Sequence, residues 1–159
     1  MSTVLNAPVF ADVRALETLP EREWLQGWAE LVKQAWIAGG SLWTEVSGGP
    51  WTHAPFWVRD AAEVKLQVVA ADPFERGTRR ALLNMGHTVG HAVESLVLAL
   101  GLDYGHGDCV ALGLSVESRI LDALGQPGSA ERSALRDRID HAAAAHGAIE
   151  DRLRALDYL

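Results

Sequence analysis

The chain has 159 residues, 48% of them hydrophobic, a single cysteine and a formal net charge of −7. That size fits one domain around one core, the lone Cys109 excludes an internal disulfide and fits a reducing cytoplasm, and no apolar run is long enough to span a bilayer. The acidic balance excludes a protein that tracks a nucleic-acid backbone, and the absence of a charged-then-apolar leader argues against secretion.

In chain order, Pro8-Val9-Phe10-Ala11-Asp12-Val13 is the only strand-like stretch, within an extended segment expected over residues 1–17. Residues 18–159 read as a helical domain. Helices are expected near 20–38, 54–71, 79–100, 107–124, 129–146 and 148–156, with a short turn or helix at 41–47. Pro20 and Pro55 stand near helix starts, and Gly125-Gln126-Pro127-Gly128 stops a helix. The fold class is therefore all-α, a helical bundle with a short extended N-terminal segment. No βαβ alternation and no G-x-G-x-x-G after a strand is present, so no dinucleotide loop is expected.

The first helix carries Glu30 and Lys33 at i, i+3 on one face. Leu31, Val32, Ala35 and Trp36 make much of that helix apolar, which sets the pair apart from an ordinary surface ion pair. Six tryptophans, at positions 24, 28, 36, 43, 51 and 57, crowd the first third. They fit core packing, with contact to another domain or a second copy of the chain as the alternative.

The most telling stretch runs from Arg80 to Glu94. On an ideal α-helix Arg80, Asn84, His87, His91 and Glu94 fall within an arc of about 80°, while Leu82, Met85, Val89, Val93 and Leu96 take the other side. An amphipathic helix always has a polar stripe, but this one holds groups that ligate metals or clamp anions. Gly86 and Gly90 each cost about 1 kcal/mol against Ala in a helix interior, so something is expected to approach that backbone closely.

Tyr104-Gly105-His106-Gly107 then reads as a turn into the next helix, with His106 at its start. An antiparallel hairpin would bring His106 near the end of the preceding helix. His87 would lie about three turns back, so a bent approach or an intervening loop is needed to unite the two. Two histidines and one glutamate with an open position suit a catalytic Zn²⁺. Cys109 reads as a small buried residue. The tail from Ser129, with Glu131, Arg132, Arg136, Asp137, Arg138 and Asp140, reads as a solvated packing helix. His53, His141 and His146 have no partners at ligand spacing.

These blocks together resemble 3-dehydroquinate synthase. Thr18-Leu19-Pro20-Glu21-Arg22-Glu23 and Gly27-Trp28-Ala29-Glu30-Leu31-Val32-Lys33 match that family's "TLPxRE…GxAExxK" signature. Glu63-Val64-Lys65, Val68-Val69-Ala70-Ala71-Asp72, Arg80 to Asn84, Gly86 to Glu94 and His106-Gly107-Asp108 continue it in order. The resemblance spans roughly residues 8–126 and concerns the C-terminal, metal-carrying domain alone.

It implies that Glu30, His87 and His106 are metal ligands for Zn²⁺ or Co²⁺, and that Lys33 contacts the substrate beside the metal. It further implies that Lys65, Arg80 and Asn84 hold the substrate's carboxylate and phosphate, and that His91 joins the active-site hydrogen-bond network. The family converts 3-deoxy-arabino-heptulosonate 7-phosphate, an anionic sugar phosphate of the shikimate pathway, into 3-dehydroquinate with loss of phosphate, using NAD⁺. Its nucleotide-binding domain precedes the "TLPxRE" block, which here begins about 17 residues after Met1. The expectation is thus a cytoplasmic lyase domain that meets NAD⁺ only through a missing domain or a separate NAD-binding chain, with a homodimer also open. Asp108 stands where the family usually has Glu, and the family's late lysine has no counterpart. A non-catalytic metal- or anion-binding module and another sugar-phosphate cyclase are the alternatives.

Overall fold

Pro20 precedes the first long helix, α1 (Glu21–Ala38), and Gly39 at φ +64° ends it. Glu21 and Glu23 occupy its first turn, where carboxylates favour the positive end of the helix dipole. The structure is a computed structural model that describes residues 8, 10–48, 55–140 and 143–158. After α1 come α2 (Gly40–Gly48), α3 (Pro55–Ala71), α4 (His87–Ala99), α5 (His106–Ala123), α6 (Ser129–Ile139) and α7 (Ala143–Ala155). Among the described residues there is no strand, and the all-α class holds. No helix among them is long and apolar enough to cross a membrane.

α5 is the axis of the fold. Its residues Gly107 to Ser115 are all buried, and it packs against α1, α4, α6 and α7. One core forms on each side of it. Val110, Ala111 and Leu114 meet Trp28, Ala29, Val32 and Ala35 of α1, with Val46, Trp57, Leu135 and Ile139 completing that cluster. Cys109 and Leu112 meet Val97 of α4 and Ile149 and Leu153 of α7 in the other. Each fully buried aliphatic side chain of this kind contributes about 1.5–3 kcal/mol. Trp28 and Trp57 meet in a tilted pair, 5.7 Å between ring centroids, and Trp36 and Trp43 pack on the same core. The tryptophans described there therefore serve packing; Trp51 lies outside the described residues.

Four expectations are corrected. The helix expected over 79–100 is broken: residues Arg80–Asn84 form a 3₁₀ helix, and α4 starts only at His87. Gly86 between them sits at φ +77°, a left-handed conformation that favours glycine. The group approaching the glycine backbone is α5 itself. A Cβ on Gly90 would lie 3.2 Å from the Cys109 carbonyl oxygen, and one on Gly86 would lie 2.6 Å from Leu114 Cγ.

The N-terminal segment is not extended throughout, because Val13–Thr18 forms a 3₁₀ helix capped by the Asp12 carboxylate, which accepts from the Arg14 N–H at 3.0 Å. Pro8 and Phe10 to Asp12 carry no regular structure, and Val9 lies outside the described residues. The helix expected over 129–146 stops at Ile139, and the piece expected at 148–156 belongs to α7, which starts at Ala143. Finally, the charged face of α6 is not fully solvated. Arg132 is 4% exposed; it donates to Asp122 Oδ1 at 2.6 Å and to the carbonyls of Pro127 and Gln126 at 2.7 Å each. Arg136 donates to the other Asp122 oxygen at 2.8 Å. His53 and His141 lie outside the described residues.

Candidate metal and anion site

Three elements deliver the site: the middle of α1, the 3₁₀ helix with the start of α4, and the start of α5. On α1, Gln26, Glu30 and Lys33 follow at intervals of four and three residues, so they share a face. The Gln26 side-chain carbonyl accepts from the Gly107 N–H at 3.3 Å. This bond draws the α5 N-terminus onto α1 one turn before Glu30. The Asp108 carboxylate accepts from the Gly105 N–H at 2.9 Å and closes the first turn of α5.

The close contact of α4 with α5 sets the distance between the histidines. Gly90 faces Cys109 and Val110, while Gly86 faces Gly113 and Leu114, which is an antiparallel register. It sets His106 level with Glu94, about two turns from His87, rather than the three expected from sequence. Side-chain reach closes the rest: the His87 and His106 rings lie 5.3 Å apart, His87 and His91 5.1 Å, and His91 and His106 5.9 Å.

Glu30, His87 and His106 bring one ligand atom each to within 4.8 Å of one another. Lys33 Nζ lies 2.7 Å from Glu30 Oε2 and donates to the Leu83 carbonyl at 3.1 Å. Glu30 Oε1 is buried without a hydrogen-bond partner, although His87 Nε2 lies 3.4 Å away. The other His87 nitrogen, Nδ1, stands 3.2 Å from the Met85 carbonyl. A carbonyl only accepts and calls for the hydrogen on Nδ1, whereas the Lys33 ammonium, which only donates, lies 3.4 Å from the same Nδ1 and calls for it on Nε2, so these neighbours admit either tautomer. In the Nδ1–H form the Nε2 lone pair and Glu30 Oε1 face each other across 3.4 Å with no proton between them. A divalent cation resolves such an arrangement, and the donor set of one carboxylate and two imidazoles suits zinc. The residues fit a metal.

Charge and burial agree. Burial pushes the His87 imidazole below its ordinary value, opposed by the Met85 bond and assisted by Lys33, which keeps it neutral as a ligand must be. Burial also lowers the Lys33 ammonium, against the pull of Glu30. The Cys109 thiol, pushed up to about 11 by burial and by Glu94 and Asp108, is no nucleophile.

A cavity of about 710 Å³ opens beside the cluster. Seven of the eight residues singled out from sequence line it: Glu30, Lys33, Lys65, Arg80, Asn84, His87 and His106. His91 does not line it and is exposed. Lys65 comes from α3, so the cations gather from three separate segments. Arg80 is steadied by one bond to the Pro73 carbonyl at 3.3 Å. The Asp72 carboxylate folds the loop leading to it, accepting from the N–H groups of Arg76 at 2.8 Å and Gly77 at 2.9 Å. Trp24, Trp28 and Trp57 form an apolar part of the lining.

Four positions were missed by sequence reasoning. Glu94 pairs with His106, both carboxylate oxygens lying 3.2 Å from Nδ1. Glu117 of α5 accepts from the Gly86 N–H at 2.7 Å and the Val89 N–H at 3.4 Å, which caps α4 just before His87. Gln26 ties α5 to α1, and Asp72 shapes the loop before Arg80. Glu94 was recognisable by its place on the polar arc and Asp72 by its place in a family block; Gln26 and Glu117 had no signal in the sequence.

Residues 27–153 match the family described as 3-dehydroquinate synthase C-terminal. The chain belongs to that family. Two curated relatives named 3-dehydroquinate synthase, from Leptospira interrogans serovars copenhageni and Lai, are each 38% identical over 113 residues. The matched stretch covers 67% of this chain and 30% of each relative, so the chain spans under a third of the enzymes it resembles. This 3-dehydroquinate synthase C-terminal domain contributes the cluster and the cations described above.

Proposed function

We propose that this domain is the metal- and anion-holding part of a cytoplasmic 3-dehydroquinate synthase, a carbon–oxygen lyase of the shikimate pathway. It would act on 3-deoxy-arabino-heptulosonate 7-phosphate, with loss of phosphate. The observation that carries this reading is the unpartnered Glu30 Oε1 facing His87 Nε2 in a cavity that also receives Lys65, Arg80 and Asn84.

Glu30, His87 and His106 would hold Zn²⁺ or Co²⁺; when bound, the ion supplies Lewis acidity toward the hydroxyls beside it. Lys33, fixed against Glu30, faces the substrate next to that position. Lys65 and Arg80 would take the phosphate and carboxylate through charge-assisted hydrogen bonds, with Asn84 adding a neutral donor and acceptor. His91, against the rings of His87 and His106, would extend the hydrogen-bond network. NAD⁺, which supplies the hydride chemistry, would be held by a nucleotide-binding domain or a separate chain.

The test is phosphate release. The 159-residue chain with Zn²⁺ and NAD⁺ is expected to release none, and to do so once a nucleotide-binding half is added in trans. Arg80→Ala should then lower turnover. Equal release with and without the partner would overturn this division of labour. Metal binding without product in any mixture would instead favour a non-catalytic metal- and anion-binding module. In Zn²⁺ titration, His87→Ala and His106→Ala should abolish stoichiometric binding, whereas His141→Ala should leave it intact.

A further inference from the structure

The two proposed histidine ligands have different neighbours at Nδ1. His87 Nδ1 stands 3.2 Å from a backbone carbonyl, that of Met85, and 3.4 Å from the Lys33 ammonium. At His106 both oxygens of Glu94 stand 3.2 Å from Nδ1. Glu94 sits on α4, two turns after His87, in the register that Gly86 and Gly90 impose against α5. A carboxylate at that atom calls for the hydrogen there, which in the neutral ring leaves the lone pair on Nε2. Carboxylate–histidine–metal relays work this way, fixing both ring orientation and tautomer.

We propose that Glu94 is the positioning residue of the site, holding His106 as an Nδ1–H imidazole whose Nε2 is free for the Glu30–His87 side. This rests on the metal reading given above and adds a residue to it. Glu94 is not itself a ligand. Its carboxylate is half-buried and both its oxygens are drawn to one ring nitrogen.

A competing geometry exists at the same residues. His91, Glu94 and His106 also bring ligand atoms within 4.8 Å of one another, so a second cation there would use Glu94 directly. One imidazole nitrogen cannot donate a hydrogen to Glu94 and ligate a metal at once. The arrangement of Glu94 over His106 favours the relay, and metal stoichiometry separates the two.

The experiment is a Co²⁺ titration of the whole chain, followed by absorption, together with nitrogen-15 NMR of the metal-free histidines. Wild type should bind one ion, with His106 as the Nδ1–H tautomer. Glu94→Ala should bind about 10- to 100-fold more weakly and release His106 to the Nε2–H form. Glu94→Gln, which keeps an acceptor, should lie between, and circular dichroism should show both variants folded. Wild-type affinity in Glu94→Ala, or an unchanged His106 tautomer, overturns the proposal, as does binding of two ions with one lost in Glu94→Ala. If wild type binds no Co²⁺, the metal reading falls, while the tautomer measurement still decides whether Glu94 orients His106.

Discussion

Lys33 lies 2.7 Å from Glu30 Oε2 and is 2% exposed, so a buried ammonium group is held against a carboxylate whose other oxygen has no partner. The two oxygens of Glu30 are therefore divided, one for the lysine and one for whatever stands between it and His87. The lysine fixes the rotamer of the carboxylate, and the free oxygen faces the imidazole. The metal site proposed above would in this way be built before an ion arrives.

Glu30→Gln should weaken the fold as well as the metal site. An amide leaves the buried Lys33 without a charged partner, and an under-satisfied buried polar group costs about 1–3 kcal/mol. The lower end applies, because Glu30 itself is about a third exposed. Urea unfolding in the presence of a chelator isolates this effect. Stability equal to wild type would mean that Lys33 does not depend on Glu30.

Lys33 also sets a pH dependence with a definite sign. Burial lowers its proton affinity in the folded state below the ordinary value of 10.5, with Glu30 opposing. The unfolded chain then binds that proton more tightly, so wild-type stability gains from this group as pH rises toward 10.5 and loses it below the folded value. Lys33→Met has no proton to release. The stability difference between the two proteins should shift in favour of wild type as pH is raised from neutrality. A difference independent of pH would contradict the shift.

The parts of this fold that were legible in the sequence are those whose signals are local. Pro20 and Gly39 bracket α1, and Gly105-His106-Gly107 marks the start of α5. Glu30, His87 and His106 came from family blocks and from ligand chemistry, and they converge. The break at Gly86 was hidden because the apolar period runs through it without a fault. Gly86 takes its left-handed conformation where α5 packs so close that a Cβ would meet Leu114, a tertiary contact invisible in a one-dimensional pattern. His91 stays beside His87 and His106, its ring 5.1 and 5.9 Å from theirs, but once Arg80–Asn84 swings off as a separate 3₁₀ helix the arc no longer describes one surface. Arg132 looked solvated because its partner, Asp122, lies on a different helix.

Gly86→Ala tests the break directly. A left-handed conformation costs a non-glycine residue about 1–2 kcal/mol, and the new Cβ would also press on Leu114 Cγ at 2.6 Å. Overpacking of that kind costs about 1–3 kcal/mol more. Gly101→Ala is the control: its φ is +65°, but nothing lies within 4 Å of the added carbon. Chemical denaturation should show Gly86→Ala losing clearly more stability than Gly101→Ala. Equal losses would show that the α4–α5 contact yields readily at this point.

Glu117 links that break to the proposed metal site. Its Oε2 accepts from the Gly86 N–H at 2.7 Å and its Oε1 from the Val89 N–H at 3.4 Å, so it acts as a cap supplied by a different helix. A carboxylate there also complements the positive end of α4. His87 is the first residue of that helix, and fraying of the first turn would release the imidazole from its place opposite Glu30. Glu117→Ala should cost about 0.5–2 kcal/mol, the usual range for loss of a cap, and should weaken Zn²⁺ binding in parallel. Glu117→Gln retains an acceptor without the charge and should fall between Ala and wild type in both measurements. The two readouts are informative together, since stability measured in chelator reports the cap alone and a zinc titration reports where it leaves His87. A destabilised Glu117→Ala protein that binds Zn²⁺ as tightly as wild type would show that His87 is held by its Met85 contact, independent of the cap.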